Sequence, residues 1–145
     1  CLFVAGKLYV RDAWLDLASD TFGKISRAQT PHGALLTTTP ADNPDSHAYH
    51  ELVLLHALAS YAVGAEDRTI AASVARATEF HLQHTQPEHA TWKPWAVFAF
   101  IWDEQSRPLA DTILHAAKIQ QLDSNDGISL MLLADALYCL RLFPI

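Results

Sequence analysis

Residues 47–64 read HAYHELVLLHALASYAVG, and four successive apolar residues, Leu52, Val53, Leu54 and Leu55, occupy the middle of the stretch. At roughly 100° per residue, four consecutive side chains face every side of a helix. The segment therefore predicts a helix buried all round, placed in the middle of the structure rather than on its surface. Asp45 or Ser46 is available to cap its start, and Gly64 suits its end.

Outward from this helix the apolar pattern alternates. Residues 66–85 form an amphipathic segment with Ile70, Val74, Ala77, His81 and His84 on one stripe and Asp67, Arg68 and Glu79 elsewhere, as expected of an outer helix packed on the previous one. Pro94 opens a second apolar segment, PWAVFAFIW, that ends by Asp103; proline is well suited to a first helical turn. Residues 107–120 are again amphipathic, and after the polar turn LDSNDG residues 128–143 are apolar on most faces. On the N-terminal side, Val10, Trp14, Leu17 and Phe22 predict one helix over residues 8–25, ending near Gly23. Residues 29–46, with three prolines and no helical period, predict a long irregular loop. Apart from the short TTTP no segment alternates with period two, so the chain is expected to be all-α, built of stacked helical hairpins or a compact helical bundle.

Composition narrows the function classes. The chain has 145 residues, half of them apolar and 18% charged, which suits a single helical domain with an ordinary core. A formal charge of -6 and ten scattered Lys and Arg residues leave no basic stripe for a phosphate backbone, so nucleic acid is not an expected partner. No apolar run has the length of a membrane span. The two cysteines, Cys1 and Cys139, form no C-x-x-C pair and no disulfide framework, which mildly favours a reducing, cytoplasmic setting. The start at Cys1 and the stop at RLFPI are those expected of a fragment of a longer chain. The sharper alternative is the acylated cysteine of a processed lipoprotein, although no signal segment accompanies it.

Residues 76–92 read RATEFHLQHTQPEHATW. Arg76 and Ala77, then Phe80, Leu82, Gln86 and finally Trp92 after a polar loop, resemble the QW-type repeat of the terpenoid cyclase and protein prenyltransferase α/α-toroid superfamily. His81 separates the aromatic–Leu pair, and Ala90 and Thr91 stand where that repeat has glycine. The resemblance implies a ring of inner and outer helices of which this chain supplies an arc, with the Gln and Trp tying neighbouring hairpins together. It carries over no activity: the Asp-x-Asp-Asp acid motif of the cyclases and the Asp-x-Cys pair of the zinc prenyltransferases are both missing, and fold alone does not select a reaction.

Two kinds of site are worth weighing. His81 and His84, and separately His47, His50 and Glu51, have helical spacings that can aim ligands at one ion. However, H-E-x-x-H is absent, because His56 follows His50 by six residues. The histidines are better read as hydrogen-bonded helix-end or interface residues, with no metal and no cofactor expected. For acid and base chemistry, the helix starts of a toroid-like mouth carry His47, Tyr49, His50 and Glu51 as candidate catalytic residues, with Trp92, Lys93, Trp95 and Asp126 as candidate binding residues. A His with a Tyr can abstract and return a proton, and Trp faces suit a sugar ring or an apolar ligand. The bland reading places Trp95 in the core and residues 123–126 in an ordinary helix-initiating turn. Nucleotide, dinucleotide and serine-hydrolase motifs are absent, and Cys139 lies among apolar neighbours as an inert small hydrophobe.

Two functions are therefore expected to compete. One is a cavity mouth binding a carbohydrate or apolar small molecule, as part of a lyase-like or cyclase-like enzyme. The other is a non-catalytic helical-repeat module that mediates protein association through the long loop of residues 29–46, with another part of a longer chain or a second copy as partner. Convergence of His47, His50 and Glu51 in a wet pocket would favour the first, and their dispersal over a surface the second.

Overall fold

The computed structural model describes residues 2–36, 44–85, 94–101, 104–121 and 127–142. Among them are six α-helices, α1 (Leu2–Tyr9), α2 (Asp12–Ala28), α3 (Pro44–Ala65), α4 (Arg68–His84), α5 (Arg107–Gln121) and α6 (Gly127–Leu142), with a 3₁₀ helix, Pro94–Phe100, between α4 and α5. No strand occurs among the described residues, so the fold is all-α. The neighbours form a near-linear series: α1 packs on α2, α2 on α4, α4 on α3, α3 on the 3₁₀ helix, and the 3₁₀ helix on α5 and α6.

The helix expected to lie at the centre does so, but it is not buried all round: Val53 and Leu54 are half-buried, and His50 and Val63 are exposed. Leu52, Leu55 and Leu58 are fully buried and Tyr61 and Ala62 nearly so, because α3 is covered by α4 and by the 3₁₀ helix. Phe3 of α1 adds a further cover, meeting Tyr61 edge-on at 4.9 Å. Its boundaries differ from those read off the sequence. Pro44 opens the helix, so Asp45 and Ser46 lie inside it, and Gly64 is also helical. A side chain at Gly64 would strike the Phe3 ring; the residue is needed for close approach, and Glu66 takes the left-handed position at φ 55° instead. Asp67 then caps α4, accepting from the amides of Thr69 at 2.9 Å and Ile70 at 3.1 Å.

Three further expectations are corrected. Residues 8–25 are not one helix: α1 ends at Tyr9, Val10 turns left-handed at φ 50°, and the Arg11 amide donates to the Gly6 carbonyl at 2.9 Å before α2 begins. The apolar spacing read across this break belongs to residues that are themselves exposed, Val10 at 82%, Leu17 at 51% and Trp14 at 38%, so it marks no buried face and periodicity alone conceals the turn. Residues 94–100 are helical but 3₁₀, which places Val97 and Phe100 on one buried line. Ser106 holds its end by donating to the Phe100 carbonyl at 3.0 Å. Finally, α6 is apolar but not enclosed: Leu133 and Ala136 are buried, whereas Ile128, Met131 and Tyr138 are exposed.

Of the expected long loop, residues 29–36 are a compact turn. Gly33 donates to the Thr30 carbonyl at 3.0 Å and Thr30 to the Ala34 carbonyl at 2.9 Å. Gly33 has φ +102° and lies against α4, where a Cβ would overlap the Arg76 carbonyl. Residues 37–43, including all of TTTP, lie outside the described residues.

Candidate functional site

Glu51 stands in the most apolar helix of the chain and is only 1% exposed. An isolated carboxylate there would be costly, and its partners explain why it is tolerated. The backbone amide of Leu35 donates to Oε2 at 2.9 Å, and that of Leu36 donates to Oε1. His81, 2% exposed on the inward stripe of α4, brings Nε2 to 3.4 Å from Oε2. On its other side His81 Nδ1 is 2.7 Å from the Thr85 hydroxyl, the donor being set by the tautomer. His47, one turn before Glu51, places Nε2 4.0 Å from Oε1.

Burial alone would raise the Glu51 pKa. The His81 contact and the two amide hydrogen bonds outweigh it and hold the carboxyl below its ordinary value. The 3.4 Å approach of His81 falls short of a well-formed hydrogen bond, since Nε2 has no such partner among the described residues. The well-formed hydrogen bonds to Glu51 come from the loop amides.

The opposite end of the same turn is fastened to α4. Gln29 donates to the carbonyls of Gly33 at 2.9 Å and Ser73 at 3.0 Å. Its Oε1 accepts from the Ser73 hydroxyl at 2.8 Å and from the Arg76 guanidinium at 2.6 Å. Residues 29–36 are thus clamped on α4 through Gln29 and on α3 through Glu51. The cluster is a polar joint between a turn and a helical hairpin.

This arrangement bears on each residue singled out from the sequence. Glu51 and His47 do come together, with His81 as the third member. Glu51 is sealed, however, and lacks the exposed face that a general base at a wet mouth needs. Tyr49 packs against the core and His50 is exposed, their rings 5.5 Å apart. His81 and His84 diverge: His84 is exposed, stacks on Phe80 at 4.4 Å and pairs Nδ1 with the Phe80 carbonyl at 2.8 Å. Trp92, Lys93 and Asp126 lie outside the described residues, as do Gln86 of the QW-like stretch and the Trp95 side chain, of which only the backbone position in the 3₁₀ helix is described. No group of three or more His, Cys, Asp or Glu among the described residues is arranged to hold a metal ion.

Sequence reasoning missed Thr85, Gln29 and the Leu35 and Leu36 amides. The usable signal was the coincidence of one acid in an all-apolar helix with one histidine on the inward stripe of the next. His56, packed beside Phe98 with ring centroids 5.5 Å apart, is a second histidine of the interior. Burial holds its pKa below the ordinary value, against an opposing hydrogen bond with the Phe98 backbone.

Farther along the hairpin, α3 and α4 frame an apolar groove of about 280 Å³ lined by Ala59, Ala62, Ala71, Val74, Thr78 and Leu82, among others. It does not include the candidate catalytic residues. No helix among the described residues is long and apolar enough to cross a membrane.

Fold and site together define an all-α protein of packed helical hairpins with an internal polar joint. Compared with protein-family models, curated proteins and solved structures, the chain has no significant match.

Proposed function

We propose that this chain is a helical-hairpin association module rather than a catalyst working through the Glu51 cluster. The carrying observation is the face of α6: Ile128, Met131 and Tyr138 are 69%, 63% and 59% exposed on a helix whose sequence is apolar nearly throughout. Covering one such side chain fully is worth roughly 1.5–3 kcal/mol, and hairpin arrays generally gain stability by stacking a further unit on such a face. An arc of a larger α/α toroid, as the QW-like stretch would imply, is one architecture that would use the face in this way.

A photo-crosslinking residue at position 131, in cells producing the protein, tests this reading. A discrete cross-linked product from position 131, absent when the same residue replaces the exposed Ala72 of α4, is expected. Absence of any product from position 131 would overturn the association role.

A second reading draws on the α3–α4 groove, whose size and alanine-rich lining suit a small apolar molecule. Titration with benzene should then shift the methyl resonances of Ala59, Ala62 and Ala71, and Ala75→Phe should abolish the shift. Unchanged resonances would end this reading.

A further inference from the structure

Helices α3 and α4 meet through short side chains. Ala59 and Ala62 of α3 and Ala71 and Ala75 of α4 line the groove of about 280 Å³ between them, and single methyl groups leave open the space that longer side chains would fill. Small residues alone do not say what enters. The polar part of the lining does: it consists of Thr78 and Glu79, adjacent on α4, and Gln105 from the turn before α5.

Thr78 is only 8% exposed, and its hydroxyl has no hydrogen-bond partner among the described residues. Thr112, by contrast, donates to the Pro108 carbonyl one turn back at 2.9 Å. A buried hydroxyl without a partner favours a ligand that supplies one. Glu79 accepts from the Gln83 amide through Oε1 at 2.6 Å. It forms no ion pair among the described residues, so Oε2 and the charge remain available to the groove. Gln105 adds an amide oxygen. A hydroxyl, a carboxylate and an amide can each accept a hydrogen bond, and a primary ammonium offers three donors and no acceptor.

The charges around the groove point the same way. Among the described residues Glu79 is the only charged member of the lining. A second hollow of about 300 Å³ shares Ala62, Val63 and Ala71 with the groove and carries Glu66, Asp67 and Arg68. Its one base stands next to two acids, and it precedes Glu79 by eleven residues, about 16 Å along α4 at 1.5 Å per residue. An anion therefore meets no base beside Thr78. An alcohol would satisfy Thr78 and leave the Glu79 charge unused, whereas a cation with N–H donors engages both.

We propose that the α3–α4 groove takes a small aliphatic primary ammonium, its chain against the four alanines and its head on Thr78, Glu79 and Gln105. This inference rests on the second reading above, that the groove admits a small apolar molecule, and adds the head group that selects among such molecules.

Titrating n-hexylammonium, 1-hexanol and hexanoate into the full chain, with the methyl resonances of Ala59, Ala62 and Ala71 as the readout, tests the selection. Hexylammonium should reach its midpoint at a concentration roughly threefold to fivefold below that of hexanol, the range of an exposed charge pair, and hexanoate should bind most weakly. Glu79→Gln is an exposed change that keeps an acceptor for Gln83. It should raise the hexylammonium midpoint to that of hexanol and leave hexanol and benzene unmoved. Thr78→Val should weaken hexylammonium and hexanol but not benzene, which forms no hydrogen bond there.

Equal midpoints for hexylammonium and hexanol overturn the inference, as does a Glu79→Gln effect of the same size on both. If benzene still moves the three resonances, those results leave the groove reading standing. Resonances unmoved by benzene and by all three titrants end both, so the two claims fail separately.

Discussion

Helices α3 and α6 are alike in sequence and unlike in place. Both are apolar around most of their circumference, and each has one acid within its middle turns, Glu51 and Asp135. Yet α3 is covered by α4, the 3₁₀ helix and Phe3, and its acid is sealed against two amides and a histidine. By contrast α6 packs mainly on α5 and the 3₁₀ helix among the described residues, and Asp135 faces outward. An all-apolar helix therefore marks a need for cover, and neighbours decide whether the need is met. The same holds for an acid, which becomes a joint where donors surround it and a surface charge where they do not.

The largest effect that sharpens this contrast is expected from Glu51→Ala. It would leave the Leu35 and Leu36 amides without their acceptor and His81 buried beside no carboxylate, a loss of about 3–5 kcal/mol of folding stability. Glu51→Gln retains an acceptor and should lose about 1–3 kcal/mol. Urea unfolding of both, beside Asp135→Ala, measures the difference. Equal small effects for Glu51→Ala and Asp135→Ala would break the comparison.

Next comes Gly33→Ala, at the centre of the turn that Glu51 holds. Its left-handed φ and the Arg76 carbonyl in the path of a Cβ predict a cost above about 1 kcal/mol. Amide exchange should speed up at Leu35 and Leu36 in this variant, since the clamp would no longer seat both amides; unchanged protection there would show that the turn is held by other means.

Acid should act on the interior of α3 in two stages. Burial depresses the His56 pKa in the folded state, so the unfolded chain binds more protons and stability declines as pH falls below about 6.5. Glu51 is likewise depressed in the folded state. Its contribution is intact above the ordinary carboxylate value of about 4.5 and is lost as pH drops through the lower folded value. Melting temperatures across this range should show both declines, with His56→Gln removing the first and Glu51→Gln the second.

The smallest effect on the fold is expected from Met131→Glu, within about 0.5 kcal/mol of wild type. That neutrality on the exposed face of α6 is the counterpart of the Glu51 result. A large destabilisation would mean that the face is already covered.

Much of the architecture was legible in residue order. Leu52 to Leu55 marked the central helix, the stripe through Ile70, Ala77 and His81 marked its partner, and the absence of period two excluded strands from the described chain. The break at Val10 was not legible, because Val10, Trp14 and Leu17 keep an apolar spacing through a left-handed residue although all three are exposed. Nor was the 3₁₀ geometry of Pro94–Phe100, since short apolar runs satisfy either helix.

Of the site, the sequence by itself determined that Glu51 lies in an apolar helix and that His81 lies on an inward stripe, because both follow from helical period. Only the tertiary structure decided that they meet, that the turn at residues 29–36 supplies the two amides, and that His50 and His84 point elsewhere. Those outcomes depend on which elements pack together, through hydrogen bonds spanning 15 residues or more, as between Leu36 and Glu51. Period fixes direction within one helix; packing between helices fixes what that direction encounters.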